Sequence, residues 1–236
     1  MEFDEKYLQE KYANFINEDY VDLYEETVGT LEELLEAEAV EAAKEEPNSD
    51  GNYKDGAESA APAGHQWVYV FIVNAKEITT KVIQAFTKQP YNHSALSFDK
   101  SLTNMASFVA TTFKRENIRN YKPEATFSLY KIAVPNETVI VMKDMVANIE
   151  KCKKDYKYSY LGLLGFIDKR HARLLNSDKK AMFCSQFVAR MFASAGMKIF
   201  GDRPDYTIKP YDFAKNKNFK FCYRGNVKNY NPAKVR

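Results

Sequence analysis

The chain has 236 residues, of which 45% are apolar and 14% aromatic; this suffices for a substantial hydrophobic core and excludes a chain that is disordered throughout. The formal charge of +2 hides an asymmetry, because residues 1–64 carry 19 acidic and 4 basic side chains whereas residues 65–236 carry 13 acidic and 30 basic ones. The pattern indicates an acidic arm joined to a basic body, and a basic body suits a polyanionic partner or contact with the arm.

The cysteine count and the hydropathy indicate where the protein works. Cys152, Cys184 and Cys222 are an odd number without metal-ligand spacing, which favours free thiols in a reducing compartment and neither a metal nor a cofactor. The N-terminus has no apolar signal-peptide region, and the longest mostly apolar run is about half a membrane span. We therefore expect a cytoplasmic protein without a transmembrane segment, or a virion-associated one if it is encoded by a phage. The Lys, Asn and Tyr content is compatible with a low-GC bacterium or its phage.

The N-terminal part is predicted to be a helical arm followed by a linker. Residues 20–46 carry apolar side chains at helical spacing in a background of Glu and Ala, which predicts an amphipathic helix. Its apolar stripe needs a cover, either the basic body or another protein. Residues 44–64 are polar, contain Pro, Gly and Ser, and lack a periodic apolar face, as a flexible linker does. We therefore divide the chain into an arm and linker over residues 1–64 and a globular domain over residues 65–236.

The globular part is predicted to be an α+β domain, with a mainly antiparallel sheet packed on helices. Apolar or alternating runs predict strands over residues 67–73, 92–99, 105–111, 125–134 and 219–225, with a turn over residues 99–104. Amphipathic spacing predicts helices over residues 77–90 and 137–154.

The segment AMFCSQFVARMFASAG, residues 181–196, predicts a further helix that begins near Cys184. Gly196 suits the left-handed position that follows a helix. The first turn of a helix presents unpaired N–H groups and the positive end of the helix dipole, and both favour a thiolate. Cys184 is therefore a candidate nucleophile, although a free cysteine in an apolar helix is also ordinary core filling.

A nucleophilic cysteine requires a base, and the chain offers three histidines. His65 lies at the edge of the linker, and His171 lies in a highly charged stretch that we expect to be exposed. His93 begins a predicted strand after QPYN, where a constrained backbone can orient the ring. His93 is therefore the candidate partner of Cys184, and 91 residues separate the two, so only the tertiary fold can bring them together.

Four segments in order resemble a known family. WVYVFIVNAKEITTKVIQAFTKQPYNHSALSFD, SLTNMASF, MFCSQFVARMFASAG and IKPYDFAKNKNFKFCYRG are similar to the circularly permuted branch of the NlpC-type, papain-like cysteine peptidases, over most of residues 66–230. The resemblance implies a papain-like core in which the histidine precedes the cysteine. It implies amide or ester cleavage, or acyl transfer, through a thioester. In that reading Cys184 is the nucleophile, His93 is the base, and the N–H group of Cys184 helps to hold the oxyanion.

The family usually has a third polar group, about a dozen residues after the histidine, that orients the ring. Here that place falls on Met105 or Ala106, and neither side chain accepts a hydrogen bond. Asn104 and Ser107 are adjacent and serve if the hairpin register is shifted by one residue, although strand parity directs only one of them toward the ring.

Two functions follow from these features. The first is a cysteine hydrolase or acyltransferase, a thiol protease or amidase in type, whose basic body suits an anionic cell-wall peptide, lipid or acidic polypeptide. The second is a catalytically inactive papain-like module for binding or assembly, for instance in a phage virion, that docks a protein partner through helix 20–46. The missing orienting group favours the second. The basic body lacks a recognisable nucleic-acid motif, so no specific nucleic-acid partner is expected.

Overall fold

A computed structural model describes residues 52–53, 60–74, 91–109, 111–159 and 178–235, together with positions 162, 173 and 176. The helices predicted over residues 20–46 and 77–90, and most of the predicted linker, lie outside these residues. The described residues belong to one compact unit that spans Pro47–Arg236. Within this described part of the chain, no helix is both long enough and apolar enough to cross a membrane.

The fold is built on a seven-stranded sheet. In chain order the described strands and helices are β1 (Asn52–Tyr53), β2 (His65–Asn74), β3 (His93–Ser97), β4 (Met105–Val109), β5 (Thr112–Glu116), β6 (Thr126–Pro135), α1 (Asn136–Lys151), β7 (Lys157–Tyr158), β8 (Ala181–Met182), α2 (Cys184–Ser194), α3 (Asp212–Lys215) and β9 (Lys220–Asn226). The strand order in the sheet is β1-β9-β6-β2-β3-β4-β5, and all six neighbouring pairs are antiparallel. The short strands β7 and β8 form a separate parallel pair. The prediction of an α+β domain with an antiparallel sheet is therefore confirmed.

The central strand β2 has apolar side chains on both sides, because both faces of the sheet are covered. Alternate residues Val68, Val70 and Ile72 belong to the larger core cluster, which also contains the buried faces of α1 and α2. The residues between them, Tyr69, Phe71 and Val73, belong to a second cluster on the opposite face. This arrangement explains why the run WVYVFIV is continuous rather than alternating.

The two long helices pack on the larger cluster through the spacing that predicted them. Helix α1 buries four residues at intervals of three and four, namely Val139, Met142, Val146 and Ile149. Helix α2 buries Phe187, Val188, Met191 and Phe192, and it ends before Gly196, whose φ of 83° lies in the left-handed region. The helix predicted to begin near Cys184 and its end before Gly196 are confirmed.

Two strands of the seven-stranded sheet, β5 and β1, were not predicted from the sequence. Strand β5 has the polar sequence TFKRE, in which only Phe113 is fully buried, so its hydrophobic signal was too weak to predict a strand. Strand β1 falls inside the predicted linker, and its two residues pair with β9 at the edge of the sheet. The pairing gives β9 a hydrogen-bonded neighbour on its outer side.

Candidate active site

Cys184 is the first residue of α2, at the helix end where backbone N–H groups have no partner within the helix. Several hydrogen bonds hold this end of the helix in place. The N–H group of Phe183 donates to Gln186 Oε1 at 3.4 Å, and Ser185 Oγ donates to the carbonyl oxygen of Ile208 at 2.6 Å. The Cys184 side chain is only 2% exposed, so its thiol lies in a site that excludes most solvent.

An aromatic cluster fixes α2 against strands β4 and β5. Phe187 lies one turn after Cys184 and is fully buried, with its ring centroid 5.4 Å from that of Phe108 and 5.8 Å from that of Phe113. Such tilted and edge-on contacts are the favoured aromatic geometries. The cluster therefore sets the position of the helix end that carries Cys184.

His93 is the first residue of β3 and pairs with Val73 of β2. Its Nε2 atom lies 2.8 Å from Glu116 Oε2, and each of the two side chains is 14% exposed. The His93 side chain also hydrogen-bonds with Cys184. The imidazole of His93 therefore contacts a carboxylate through Nε2 and also interacts with the Cys184 thiol.

Glu116 is the last residue of β5, and both oxygens of its carboxylate make hydrogen bonds. Its other oxygen, Oε1, accepts a hydrogen bond from the Tyr121 hydroxyl at 2.8 Å. The Tyr121 ring packs against Phe71, with centroids 5.2 Å apart. Both carboxylate oxygens are therefore held, so the carboxylate in turn limits rotation of the imidazole ring.

The electrostatics of the three groups favour an ion pair between thiolate and imidazolium. Burial alone would lower the pKa of His93, but the Glu116 carboxylate and hydrogen bonds with Cys184 and Glu116 outweigh it and raise that pKa to about 10. Burial would raise the pKa of the Cys184 thiol, yet the hydrogen bond and charge of His93 lower it below its usual value. Burial also opposes ionisation of Glu116, but His93 and the Tyr121 hydroxyl hold the pKa of this carboxyl below its usual range.

Ser94 adds two further donors beside the sulfur. Both its backbone N–H and its hydroxyl contribute to the lowered pKa of Cys184. The hydroxyl is fully buried and has no hydrogen bond of normal geometry among the described residues. A buried hydroxyl without such a partner is costly, so a negatively charged sulfur beside it is a favourable neighbour.

The structure brings together Cys184 and His93, as the sequence analysis expected, but it places a residue that was not predicted against the imidazole. Asn104 is exposed, and the buried Ser107 donates its hydroxyl hydrogen to the carbonyl oxygen of Ser94 at 2.7 Å. Neither contacts the ring nitrogen that Glu116 occupies. The expectation that Asn104 or Ser107 orients His93 is therefore corrected, because strand β5 supplies a carboxylate from beyond Met105, with which Glu116 pairs.

No group of three His, Cys, Asp or Glu side chains among the described residues is arranged to hold a metal ion.

In comparisons with known proteins, no family model and no curated protein matches the chain. Function must therefore be inferred from the chemistry of Cys184, His93 and Glu116.

Proposed function

We propose that the protein is a cysteine hydrolase or acyltransferase with a circularly permuted papain-like core, in which Cys184, His93 and Glu116 form the catalytic triad. The observation that carries the proposal is the imidazole of His93 held between the Cys184 thiol and the Glu116 carboxylate, with 2.8 Å between Nε2 and Oε2. A nucleophile, a base and an orienting group in hydrogen-bond contact are the parts that covalent acyl transfer requires.

The chemistry proceeds in two halves. The Cys184 thiolate attacks the substrate carbonyl carbon and forms a C–S bond, and the oxyanion is held by N–H donors at the mouth of α2. His93 then gives its proton to the leaving amine or alkoxide as the C–N or C–O bond breaks, which leaves a thioester. In the second half His93 takes a proton from water, the resulting hydroxide equivalent attacks the thioester, and the C–S bond breaks. An acceptor alcohol or amine in place of water makes the same steps an acyl transfer.

Glu116 bears on the choice between an enzyme and an inactive module. The absence of an acceptor at Met105 and Ala106 favoured a papain-like module that only binds or assembles. The Glu116 carboxylate, which contacts Nε2, weakens this argument for an inactive module. It can orient the imidazole and stabilise the positive charge of the imidazolium. The basic body still suits an anionic substrate such as a cell-wall peptide, a lipid or an acidic polypeptide.

The proposal predicts how the rate of Cys184 alkylation by iodoacetamide depends on pH. Because the ion pair forms well below the pH at which a free thiol ionises, we expect labelling at pH 6 to remain within about ten-fold of the rate at pH 8.5. In His93→Ala the sulfur loses its partner, and the rate should fall about ten-fold for each pH unit below the ordinary thiol pKa. Mass spectrometry of the peptide that contains Cys184 gives both profiles.

The exposed Cys152 serves as the internal control, because it is labelled in the same sample and lies outside the site. The shape of each profile is compared rather than the absolute rate, since Cys184 is buried. Identical profiles for the wild-type protein and His93→Ala would contradict the hydrolase proposal and favour the binding module.

A further inference from the structure

A row of side chains leads across the sheet from Cys184 to an arginine. Ser94 lies near the Cys184 thiol, whose pKa it helps to lower, and it pairs with Ile72 of β2. Ile72 pairs with Ser128 of β6, and Ser128 pairs with Arg224 of β9. Directly paired residues in antiparallel strands place their side chains on the same face. Since neighbouring strands are about 4.8 Å apart, Ser128 lies roughly 10 Å from Ser94 on the face that carries the larger core.

Arg224 is tied to this row through a hydroxyl network. Its Nε atom donates to Ser128 Oγ at 3.1 Å, and the same oxygen lies 2.7 Å from the hydroxyl of the buried Tyr91. The Tyr91 ring stacks on that of Tyr211, with centroids 5.9 Å apart. The network holds the guanidinium against the sheet on the side of the nucleophile.

The charge of Arg224 is not balanced by a carboxylate among the residues that the structure describes. Its neighbours there are a serine and the hydroxyls of Tyr91, Tyr130 and Tyr211, and no salt bridge to Asp or Glu is present. By contrast, Arg115, Arg190 and Arg203 each pair with a carboxylate at 2.6 to 2.8 Å. Arg224 is half-buried, and besides the bond from Nε to Ser128 its guanidinium hydrogen-bonds with Tyr130. A guanidinium carries five N–H donors, so some remain for the planar contact that fits a carboxylate.

We propose that Arg224, positioned by the hydroxyls of Tyr91 and Ser128, binds a carboxylate of the acyl substrate. Because the guanidinium lies at Ser128, that carboxylate would be roughly 10 Å from the scissile carbonyl. This inference rests on the proposed function, because it takes Cys184 as the point of attack. It assigns the preference for an anionic substrate to one side chain rather than to the general charge of the basic body. Substrates with an acidic group at that spacing are therefore selected over neutral analogues of equal length.

The test uses two alkylating probes that differ only in charge. The first is 6-(iodoacetamido)hexanoate, whose extended chain matches the distance from the sulfur to Arg224. The second is its neutral methyl amide. We expect the carboxylate probe to label Cys184 with at least about ten-fold higher kinact/KI, as a hydrogen-bonded charge pair can provide. The difference should lie in KI, since the reactive iodoacetamide group is the same.

The preference should depend on Arg224 and on probe length. In Arg224→Gln both probes should label equally, whereas Arg224→Lys should retain part of the preference because it keeps the charge. Lys228→Gln is the matched control, since it removes one positive charge from an exposed position just beyond β9 and should leave the preference unchanged. N-iodoacetylglycine, whose carboxylate is too close to the reacting carbon, should show little preference. Circular dichroism of each variant checks the fold.

The outcomes separate this inference from the proposed function. If iodoacetamide alone shows the His93-dependent pH profile but the two longer probes react equally with the wild-type protein, the Arg224 site is overturned and the hydrolase proposal is retained. If the pH profile fails, NMR titration of the wild-type protein with unreactive 6-acetamidohexanoate decides the question of binding. A shift of the Arg224 Nε–H signal with the acid and none with its methyl amide supports the site, and no shift with either overturns it.

Discussion

Replacement of Glu116 by glutamine should lower the turnover of an acyl substrate by about 10²- to 10⁴-fold while the fold is retained. In serine proteases, an amide in place of the orienting carboxylate costs about 10⁴-fold in rate. Glutamine has the size of glutamate but no charge, so it cannot stabilise the positive charge of protonated His93. Hydrolysis of p-nitrophenyl acetate measures the effect without knowledge of the natural substrate. The acetyl thioester on Cys184, detected by intact mass, shows which half of the reaction is slowed.

The same variant should narrow the pH range of activity. Glu116 helps to raise the pKa of His93 to about 10, so its removal should move the alkaline limit of the acylation rate to lower pH. The raised pKa of His93 also affects the free energy of unfolding. A histidine whose pKa is raised on folding stabilises the folded state at low pH, and this stabilisation is lost as the pH rises through about 10. The difference in melting temperature between the wild-type protein and Glu116→Gln should therefore shrink above pH 10.

Glu150→Gln is the matched control for this experiment. Glu150 is also a partly exposed carboxylate that hydrogen-bonds with a residue of β5, because Arg115 donates to it at 2.8 and 2.9 Å. Glu150→Gln replaces a carboxylate by an amide, as Glu116→Gln does, but at a residue that does not contact His93. Equal turnover in both variants would show that Glu116 has no special role in orienting the imidazole.

Truncation of Phe187 to alanine should lower the free energy of unfolding by about 3–5 kcal/mol, the range for Phe→Ala changes in protein cores. The residue is fully buried and contacts the rings of Phe108 and Phe113, so alanine leaves a cavity between α2 and strands β4 and β5. Urea unfolding with an unchanged m-value measures the loss. Because this cluster positions the start of α2, the rate of Cys184 alkylation at pH 6 should fall as well.

Ile140→Ala provides the comparison for stability. Ile140 is a large apolar residue of α1 that is 60% exposed, so its truncation should change the free energy of unfolding by no more than about 0.5 kcal/mol. A loss below about 1 kcal/mol for Phe187→Ala would mean that the cavity collapses at little cost and that the cluster does not hold the helix in place.

The helix that contains Cys184 and the strand that contains His93 were both predicted from the sequence. Apolar residues at intervals of three and four, with Gly196 beyond them, predicted α2 and its start, because a local pattern decides where a helix begins and ends. The alternating segment over residues 92–99, which contains His93, predicted strand β3 in the same way. The pairing of the two residues came from their chemistry and from a family resemblance, and the structure places them in contact.

Glu116 was missed for a reason that lies in strand β5. Its polar sequence TFKRE has only one fully buried residue, and β5 is the last strand of the sheet among the described residues, so no strong alternation marks it. The orienting group was sought near Met105, about a dozen residues after the histidine. The carboxylate instead comes from the next strand of the hairpin, 23 residues after His93 in the chain.

By itself the sequence determined the α+β class, the helix that begins at Cys184 and the two groups with the chemistry of a nucleophile and a base, because each depends on residues close together in the chain. Only the tertiary structure decided which group contacts Nε2 of His93 and that the row from Ser94 includes Arg224. Both depend on strand register, which is set by the pairing of segments far apart in the chain rather than by any local pattern of residues.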